Sequence, residues 1–354
     1  MKKVSKVLSL LTASILVIGT LSACGSGNQA SSAASQGTAQ SSAGEKSTPS
    51  SDDVIQFKMG MTDPENSNYV QGAKKIAEEV KVATNGRIEI TVYPSGQLGN
   101  DRDAYEGAQL GTVDICTPAN AVMASFIPEM AVLDQPFLFE NADQAHRAID
   151  GKLGELIAQK AEQQGLHIVG WMESGFRNVF SSRPVQTMDD FKGLKIRTME
   201  NDMHMAAFNA LGAIATPMAY GDVFTGLQQK TIDAAENATA NVLASNFYEV
   251  TKNVTHTNHL FVFITVALSD KAWNQIPDDL KPVFVEAVKK GCDYQRQLLV
   301  EANESAEKEL KEKGVTFYDV DLPALQAAVK PAMEQFKDRM PQEWLDAIEE
   351  AKKG

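Results

Sequence analysis

The sequence predicts an α/β protein made of two similar lobes that share one long helix. Three observations favour this fold class. Strand-like and helix-like segments alternate along the chain, one ten-residue pattern occurs twice, and one segment after residue 278 is typical of an unusually long helix. Alternating strands and helices predict parallel sheets with helices packed on their faces.

The alternation begins at residue 54 and continues through most of the chain. Residues 54–61 alternate as a strand does, and apolar residues recur at helical spacing over 67–84, where an Asn-Gly pair ends the helix. The first half continues with a strand at 87–93, a helix at 101–110, a strand at 112–117, a helix at 141–164 and an extended segment at 167–171. The second half has a strand at 194–197, helices at 200–211 and 220–229, a strand at 231–235 and an apolar strand at 261–268.

An internal repeat indicates that the two lobes are related. Residues 106–115 read EGAQLGTVDI and residues 225–234 read TGLQQKTIDA. The identical positions, 119 residues apart, are Gly107 and Gly226, Gln109 and Gln228, Thr112 and Thr231, and Asp114 and Asp233. Each copy is typical of a helix that leads into a buried strand, although four identities in ten also arise by chance.

The segment from residue 279 to residue 313 has few helix breakers. Pro282 lies near its start, where proline is tolerated, and Gly291 is its main weak point. A helix of this length extends about 50 Å. That is longer than one small lobe needs, so the helix is predicted to cross both lobes.

The N-terminus indicates export. Residues 1–23 have a basic start and an apolar run of about fifteen residues, too short for a comfortable membrane span. Cys24 follows small residues at the expected cleavage point, which favours a lipid-attachment cysteine over an ordinary signal peptide that happens to contain one. Residues 24–53 are rich in serine and lack aromatic residues, so they are predicted to be a flexible linker between a lipid anchor and the folded part.

Composition limits the remaining possibilities. About 300 residues suffice for two lobes with substantial cores. The formal charge of −13 and the lack of a basic, aromatic-rich stripe argue against nucleic-acid binding. Cys116 and Cys292 are interpreted as either a disulfide or two buried free thiols, and the second alternative is favoured. The protein is expected to be a monomer.

Catalytic motifs are largely missing from the sequence. It has no G-x-S-x-G, phosphate-loop, G-x-G-x-x-G or H-E-x-x-H pattern. His256 and His259 are three residues apart but have no third candidate metal ligand nearby, so they are interpreted as surface or core residues. We therefore expect a binding protein with no cofactor and no metal, rather than an enzyme.

Arginine is more informative, because three of the eight arginines lie between residues 177 and 197. A planar guanidinium binds a carboxylate with two parallel hydrogen bonds. Arg197 ends a predicted strand, and strand ends in α/β folds face the ligand crevice. Arg177 lies among apolar residues. The alternative, surface or structural salt bridges, is retained for Arg183, which lies beside a proline.

Several motifs, in a specific order, carry a family resemblance. They are YPSGQLG at 93–99, QPFLF at 135–139, FKGLKIR at 191–197, LGA at 211–213, TPMAY at 216–220, AEN at 235–237, FYEV at 247–250 and TNH at 257–259. From residue 54 onward the sequence resembles the DctP-type substrate-binding proteins of tripartite ATP-independent periplasmic (TRAP) transporters. The resemblance implies a two-lobe periplasmic-binding-protein-like fold with a hinge, with 54–174 plus 263–302 in lobe I and 175–262 plus 303–354 in lobe II. It also implies delivery of a small organic acid to TRAP membrane permease subunits.

The resemblance also implies site residues. Arg197 falls on the main carboxylate clamp, Arg177 on a second anion contact, Asn237 on a polar contact and Tyr220 on an aromatic residue that packs on the ligand. The positions that imply contacts to the distal part of the ligand are Thr62, Asp101 and Asn120.

The ligand class is less determined. Polar first-lobe candidates favour a sugar acid such as a hexuronate, because unpaired buried polar groups disfavour a ligand without hydroxyls. Ala119 stands where sialic-acid binders have an acidic residue, which disfavours sialic acid. The alternatives are a C4-dicarboxylate or other short organic acid, an extracellular sugar-acid hydrolase or lyase, and a sensory module.

Overall fold

The computed structural model describes residues 54–354, so the predicted signal peptide, Cys24 and the linker lie outside the described residues. Two sheets flanked by helices confirm the predicted α/β fold class. The strands are β1 (Ile55–Gly60), β2 (Ile88–Tyr93), β3 (Ile115–Cys116), β4 (Leu166–Phe176), β5 (Asn178–Ser181), β6 (Lys195–Thr198), β7 (Ile214–Pro217), β8 (Ala234–Asn237), β9 (Asn253–His256), β10 (Phe261–Ser269) and β11 (Thr316–Asp319). The helices are α1 (Asn68–Ala83), α2 (Asp101–Gln109), α3 (Asn120–Met123), α4 (Ala142–Ile149), α5 (Lys152–Glu162), α6 (Asp202–Ala210), α7 (Val223–Gln228), α8 (Thr239–Ala244), α9 (Asp270–Trp273), α10 (Lys281–Glu312), α11 (Leu322–Met333) and α12 (Gln342–Lys353).

Each sheet forms the centre of one lobe, and both sheets are mixed. The first has the strand order β2-β1-β3-β10-β4, and the second has the order β11-β9-β5-β8-β6-β7. Most neighbours are parallel, but β10 is antiparallel to β3 and β4, and β5 is antiparallel to β8 and β9. The prediction of parallel sheets was therefore wrong for these strands. Strands β5 and β10 each follow a strand of the other sheet with no helix in between, so neither belongs to a β-α-β unit.

Two of the chain's crossings between the sheets lie side by side, and a third runs through α10 from β10 to β11. Arg177 is the single residue between β4 and β5, and residues 257–260 separate β9 from β10. The Arg177 N–H donates to the Leu260 carbonyl at 2.9 Å, and the His259 N–H donates to the Arg177 carbonyl at 3.3 Å. Because the two crossovers are hydrogen-bonded side by side, they form a narrow connection around which one lobe can rotate.

Helix α10 packs on α1 and β4 of the first lobe and on α8 of the second, as predicted for a helix that crosses both. Two glycines allow its close approach to α1. A β-carbon on Gly72 would collide with Gln295, and one on Gly291 would collide with Ile76. Gly291, a weak point for helix formation in the sequence, is therefore a packing requirement.

The C-terminal segment also contacts both lobes. Helix α11 packs on α6 in the second lobe, whereas α12 packs on α4 and α5 in the first. Trp344 and Ile348 of α12 are buried in the first lobe's core. The expectation that residues 303–354 lie in the second lobe does not fit this last helix, because the apolar face of α12 covers α4 and α5 of the first lobe.

The internal repeat has the same geometry in both lobes. Thr112 donates to the Gly107 carbonyl from its N–H at 2.8 Å and from Oγ1 at 3.1 Å, and Thr231 donates to the Gly226 carbonyl at 3.0 Å and 3.1 Å. The repeated aspartates each accept a hydrogen bond from a strand N–H of their own lobe, at 2.9 Å and 3.2 Å. The sequence repeat thus marks a turn that both lobes share.

The two cysteines of the described residues agree with the favoured alternative. Cys116 in β3 and Cys292 in α10 are both buried and free. Within residues 54–354, no helix combines the length and the apolar character needed to cross a membrane.

Candidate ligand-binding site

A cavity of about 50 Å³ lies between the two lobes. It has room for several water molecules. The predicted site residues that line it are Thr62, Asp101, Arg177, Arg197, Tyr220 and Asn237. Asp101 is the first residue of α2, Arg197 lies in β6 and Asn237 ends β8, so strand and helix ends of both lobes bring these side chains together.

Arg177 is anchored before any ligand arrives. Its side chain is only 4% exposed, and its Nε and Nη2 both donate to the carboxylate of Glu236. Nη1 donates to Asn237 Oδ1 at 2.8 Å and to Ser174 Oγ at 3.2 Å. A guanidinium held by a two-bond carboxylate pair has a fixed plane, so its remaining face is presented to the cavity in one orientation.

The Arg177–Glu236 pair is close to electrically neutral. Burial disfavours the charged form of Glu236, but Arg177 and His259 outweigh it and hold the pKa of Glu236 well below its usual range. Burial also opposes charge on Arg177, yet Glu236 raises the pKa of Arg177. Burial lowers the pKa of His259, whose Nε2 lies 3.4 Å from Glu236, so burial favours the neutral imidazole beside the pair. The pair therefore contributes little net charge to the cavity.

Arg197 is different, because no carboxylate binds it closely. Its Nε donates to the Met218 carbonyl at 2.8 Å, and its Nη1 lies 4.0 Å from Glu236 Oε1. Neither Nη1 nor Nη2 donates a hydrogen bond to another described residue, although the side chain is only 4% exposed. Burial and the neighbouring Arg177 lower the pKa of Arg197 to about 10, against the opposing effect of Glu236. A buried cation without a bound anion is costly, and two free terminal amines match a carboxylate.

Two aromatic hydroxyls complete the second-lobe side and link it to the first lobe. Tyr220 shares a hydrogen bond with Ser245 Oγ at 2.6 Å. Asn241 of α8 donates to Asn237 Oδ1 at 3.0 Å and to the Tyr69 hydroxyl of α1 at 2.5 Å. Burial raises the pKa of both tyrosines, so both hydroxyls stay neutral donors and acceptors.

The first-lobe side of the cavity is acidic. Asp101 accepts from Thr62 Oγ1 at 2.7 Å and from the Ala119 N–H at 3.2 Å. Asp63 lies beside them, and no other described side chain donates a hydrogen bond to its carboxyl. Burial, with the charge of Asp101, raises the pKa of Asp63 to about 8, while Arg177 opposes the shift.

Asn120 does not line the cavity, unlike the other predicted site residues. Its side chain is completely buried, donates to Asp134 Oδ1 at 2.8 Å and accepts from the Phe263 N–H at 2.9 Å. One end of the amide therefore ties the start of α3 to Asp134, and the other ties it to β10. This placement does not agree with the expectation that Asn120 contacts the distal part of a ligand.

Besides Glu200, which lines the cavity, sequence reasoning missed four residues of the site. Asp63, Tyr69 and Asn241 line the cavity, and Glu236 pairs with Arg177 behind it. Two had a local signal, because Asp63 follows Thr62 and Glu236 precedes Asn237. Tyr69 and Asn241 had no such signal. They lie on α1 and α8, and only the packing of these helices across the cleft shows which helix face lines the cavity.

Contacts across the cleft show that the two lobes are closed on each other. Asn201, at the start of α6, donates to the Ala121 carbonyl at 3.0 Å and to Asp134 at 2.8 Å in the first lobe. Arg102 lies 3.9 Å from Glu200, and Tyr69 meets α8 as described. A ligand in the cavity is thus surrounded by both lobes.

Comparison with known proteins identifies the family. Residues 59–339 match the family model of the bacterial extracellular solute-binding proteins, family 7 (DctP). The chain belongs to this family. DctP-family members are solute-binding proteins of TRAP transport systems rather than enzymes, so the predicted family is confirmed, and so is the two-lobe fold.

Relatives of the DctP family cover most of the chain. The 2,3-diketo-L-gulonate-binding periplasmic protein YiaO of Escherichia coli K12 is 33% identical over 78% of this chain and 85% of its own. A TRAP periplasmic solute-binding protein from Polaromonas sp. JS666, bound to D-erythronate, is 33% identical with a TM-score of 0.80, over 84% of this chain and 98% of that one. The sugar acid binding protein DctPAm of Advenella mimigardefordensis, in complex with galactonate, is 30% identical with a TM-score of 0.82, over 85% and 98%.

Proposed function

We propose that this DctP-family protein captures a sugar acid, of the hexuronate or aldonate class, in the cleft between its lobes and delivers it to a TRAP membrane permease. The observation that carries the proposal is Arg197, a buried cation whose terminal amines face a closed cavity without a partner among the described residues. A carboxylate supplies the missing anion. The two solved relatives described above hold a sugar acid, which supports the ligand class.

The proposed roles follow from the placement of each side chain. Arg197 binds the ligand carboxylate with its two terminal amines. Arg177, whose five N–H groups already donate to Glu236, Asn237 and Ser174, adds its positive charge and the face of its guanidinium. Asn237 orients the guanidinium of Arg177 and lies beside the carboxylate. Tyr220 packs on the carbon chain. Thr62 and Asp101 face the distal hydroxyls, and Asn120 has only a structural role.

We also propose that the protein works at the outer surface of the cell membrane, as a monomer held by a lipid on Cys24. The support for the lipid anchor is the sequence of residues 1–53 alone. Replacement Cys24→Ser is expected to move the protein from the membrane fraction to the medium or periplasm, as measured by fractionation and immunoblotting. Retention in the membrane fraction after this replacement would contradict the anchor.

The ligand proposal is tested by thermal unfolding in the presence of hexuronates, aldonates, C4-dicarboxylates, keto acids and the corresponding neutral sugars. A ligand that binds only the folded state stabilises it by about 4 kcal/mol at a thousandfold excess over its Kd. A shift of several degrees with one sugar acid, and none with its neutral sugar, is the expected result. A shift only with C4-dicarboxylates would establish the alternative class, and no shift with any acid would contradict anion capture.

A further inference from the structure

We infer that Asp63 and Asp101 restrict the site to acids with a single carboxylate and a hydroxylated remainder, so that a dicarboxylate with the same carbon chain is rejected. This inference rests on the proposed function, because it takes the arginine side of the cavity as the carboxylate-binding side. It adds which sugar acids bind and which do not.

The first step is the charge of the cavity wall. Among the described residues, the only basic side chains that line it are Arg177 and Arg197, and Glu236 already pairs with Arg177. Arg197 is therefore the one lining cation without a hydrogen-bonded carboxylate, enough for one ligand carboxylate. The acidic residues that line the wall are Asp63, Asp101 and Glu200. A second ligand carboxylate would find no free cation among the described lining residues.

The second step is that the positive and negative side chains lie on opposite sides of the cavity. Both arginines come from the crossover and from β6, whereas Asp63 follows β1 and Asp101 begins α2. The anion-binding side is thus at the second lobe and the crossover, and the acidic side belongs to the first lobe. A ligand enclosed by both lobes presents its far end to the two aspartates.

The third step is what these aspartates can bind. Asp101 is fixed by Thr62 and the Ala119 N–H, and its remaining lone pairs can accept a hydrogen bond from a ligand. Asp63 has no partner among the described side chains and, with its raised pKa, retains a proton to donate at neutral pH. A hydroxyl group both donates and accepts, so it suits this acid–carboxylate pair. A carboxylate only accepts, and it would be repelled by Asp101.

The test compares ligands that differ only at the far end. Affinities of the purified protein for galactonate and galactarate, and for gluconate and glucarate, are measured by isothermal titration calorimetry. We expect wild type to prefer the monocarboxylate of a pair by at least about tenfold. Asp101→Asn and Asp63→Asn are each expected to reduce that ratio, and Asp101→Asn more strongly. The exposed Asp222→Asn, outside the cavity, controls for total charge and is expected to leave the ratio unchanged.

The outcomes separate this inference from the proposed function. If wild type binds a monocarboxylate but binds its dicarboxylate partner equally or better, the inference is wrong and anion capture stands. An unchanged ratio in both aspartate variants, with thermal unfolding showing that they are folded, leads to the same conclusion. If none of these acids or the wider panel binds wild type, the proposed function fails and the inference fails with it. The wild-type ratio is decisive even if Asp101→Asn does not fold.

Discussion

Arg177 and Arg197 occupy the same buried cavity in opposite electrostatic situations. Arg177 is bound by the Glu236 carboxylate through two donors, whereas Arg197 lies 4.0 Å from the same carboxylate and hydrogen-bonds only a backbone carbonyl. The Arg177 guanidinium is thus bound within the protein, whereas the terminal amines of Arg197 are free to bind an external anion. Replacing each of them, or their partner, should have distinct effects.

Arg197→Ala is expected to weaken binding of the sugar acid by about two orders of magnitude or more, since loss of a desolvated arginine–carboxylate pair costs roughly 2–5 kcal/mol. Arg197→Lys keeps the charge but not the two parallel donors, so an intermediate loss is expected. Isothermal titration calorimetry provides the Kd values. Arg183→Ala, in the same lobe but outside the cavity, is the control, and equal affinity of Arg197→Ala and wild type would refute the clamp.

Glu236→Gln is expected to destabilise the folded protein by about 3–5 kcal/mol, because it leaves the buried Arg177 charge without its anion. Chemical denaturation measures the change. The same replacement at Glu200, which also lines the cavity but is 33% exposed and 3.9 Å from Arg102, should cost no more than about 1 kcal/mol. Similar losses for both variants would show that the Arg177–Glu236 pair has no special structural role.

Tyr69→Phe removes the hydroxyl that accepts from Asn241 across the cleft. A single hydrogen bond contributes about 0.5–1.5 kcal/mol, so we expect a three- to tenfold weaker ligand affinity with little loss of fold. Tyr105→Phe is the matched control, because the Tyr105 hydroxyl is buried without a hydrogen-bond partner among the described residues. If both variants bind as wild type does, the cross-cleft contact does not stabilise the closed state.

Asp63 predicts a pH dependence of stability. In the unfolded chain its carboxyl has the ordinary value of 3.8, and in the folded protein burial and Asp101 raise the pKa to about 8. The charged groups facing it are Asp101 and Arg177, and Tyr69 and Tyr220 are its titratable neighbours. Between about pH 4 and pH 8 the unfolded chain loses this proton while the folded protein keeps it, so the contribution of Asp63 to stability falls as the pH rises.

Asp63→Asn removes that contribution and is therefore expected to be more stable, relative to wild type, near pH 8 than near pH 4. Melting temperatures across the window measure the difference, without ligand. Asp222→Asn, at an exposed position, is the control for the loss of one carboxyl group. A constant difference for Asp63→Asn would mean that its carboxyl is not perturbed.

Ligand binding should reduce the radius of gyration of the protein in small-angle X-ray scattering. The cleft contacts of Asn201 and Tyr69 belong to the closed arrangement, and the narrow double crossover is the place where it can open. A ligand that touches both lobes favours the closed state. An unchanged radius at a saturating concentration of a ligand with measured affinity would contradict hinge closure.

Local sequence signals predicted most elements of the fold. The helix stop at Asn85, the long helix and the repeated turn at Gly107 and Gly226 each depend on residues close in sequence, and each is present in the structure. The short strands β5, β7, β9 and β11 were missed, because four residues carry little periodicity. The helix predicted over 141–164 is two helices, since Gly151 is not helical and caps α5.

For the site, sequence motifs located side chains at strand ends but not those that depend on packing. Arg177 and Arg197 stood out through their residue type and position. Asn120 lies beside the crevice in sequence, but its side chain faces the protein interior. There Asp134 and the Phe263 backbone satisfy its hydrogen bonds. Tyr69 and Asn241 are in contact across the cleft although they are 172 positions apart in the sequence. No local sequence pattern could predict this contact.

The position of Arg177 at the crossover has a kinetic consequence. A group at the connection between the lobes moves little when they separate, so this positive charge is already in place in the open protein. Encounter with the ligand therefore depends mainly on the arginine side, whereas escape requires breaking the contacts that join the lobes across the cleft, such as those of Asn201 and Tyr69. Changes at these cleft contacts should shorten the residence time of the ligand and leave the association rate nearly constant.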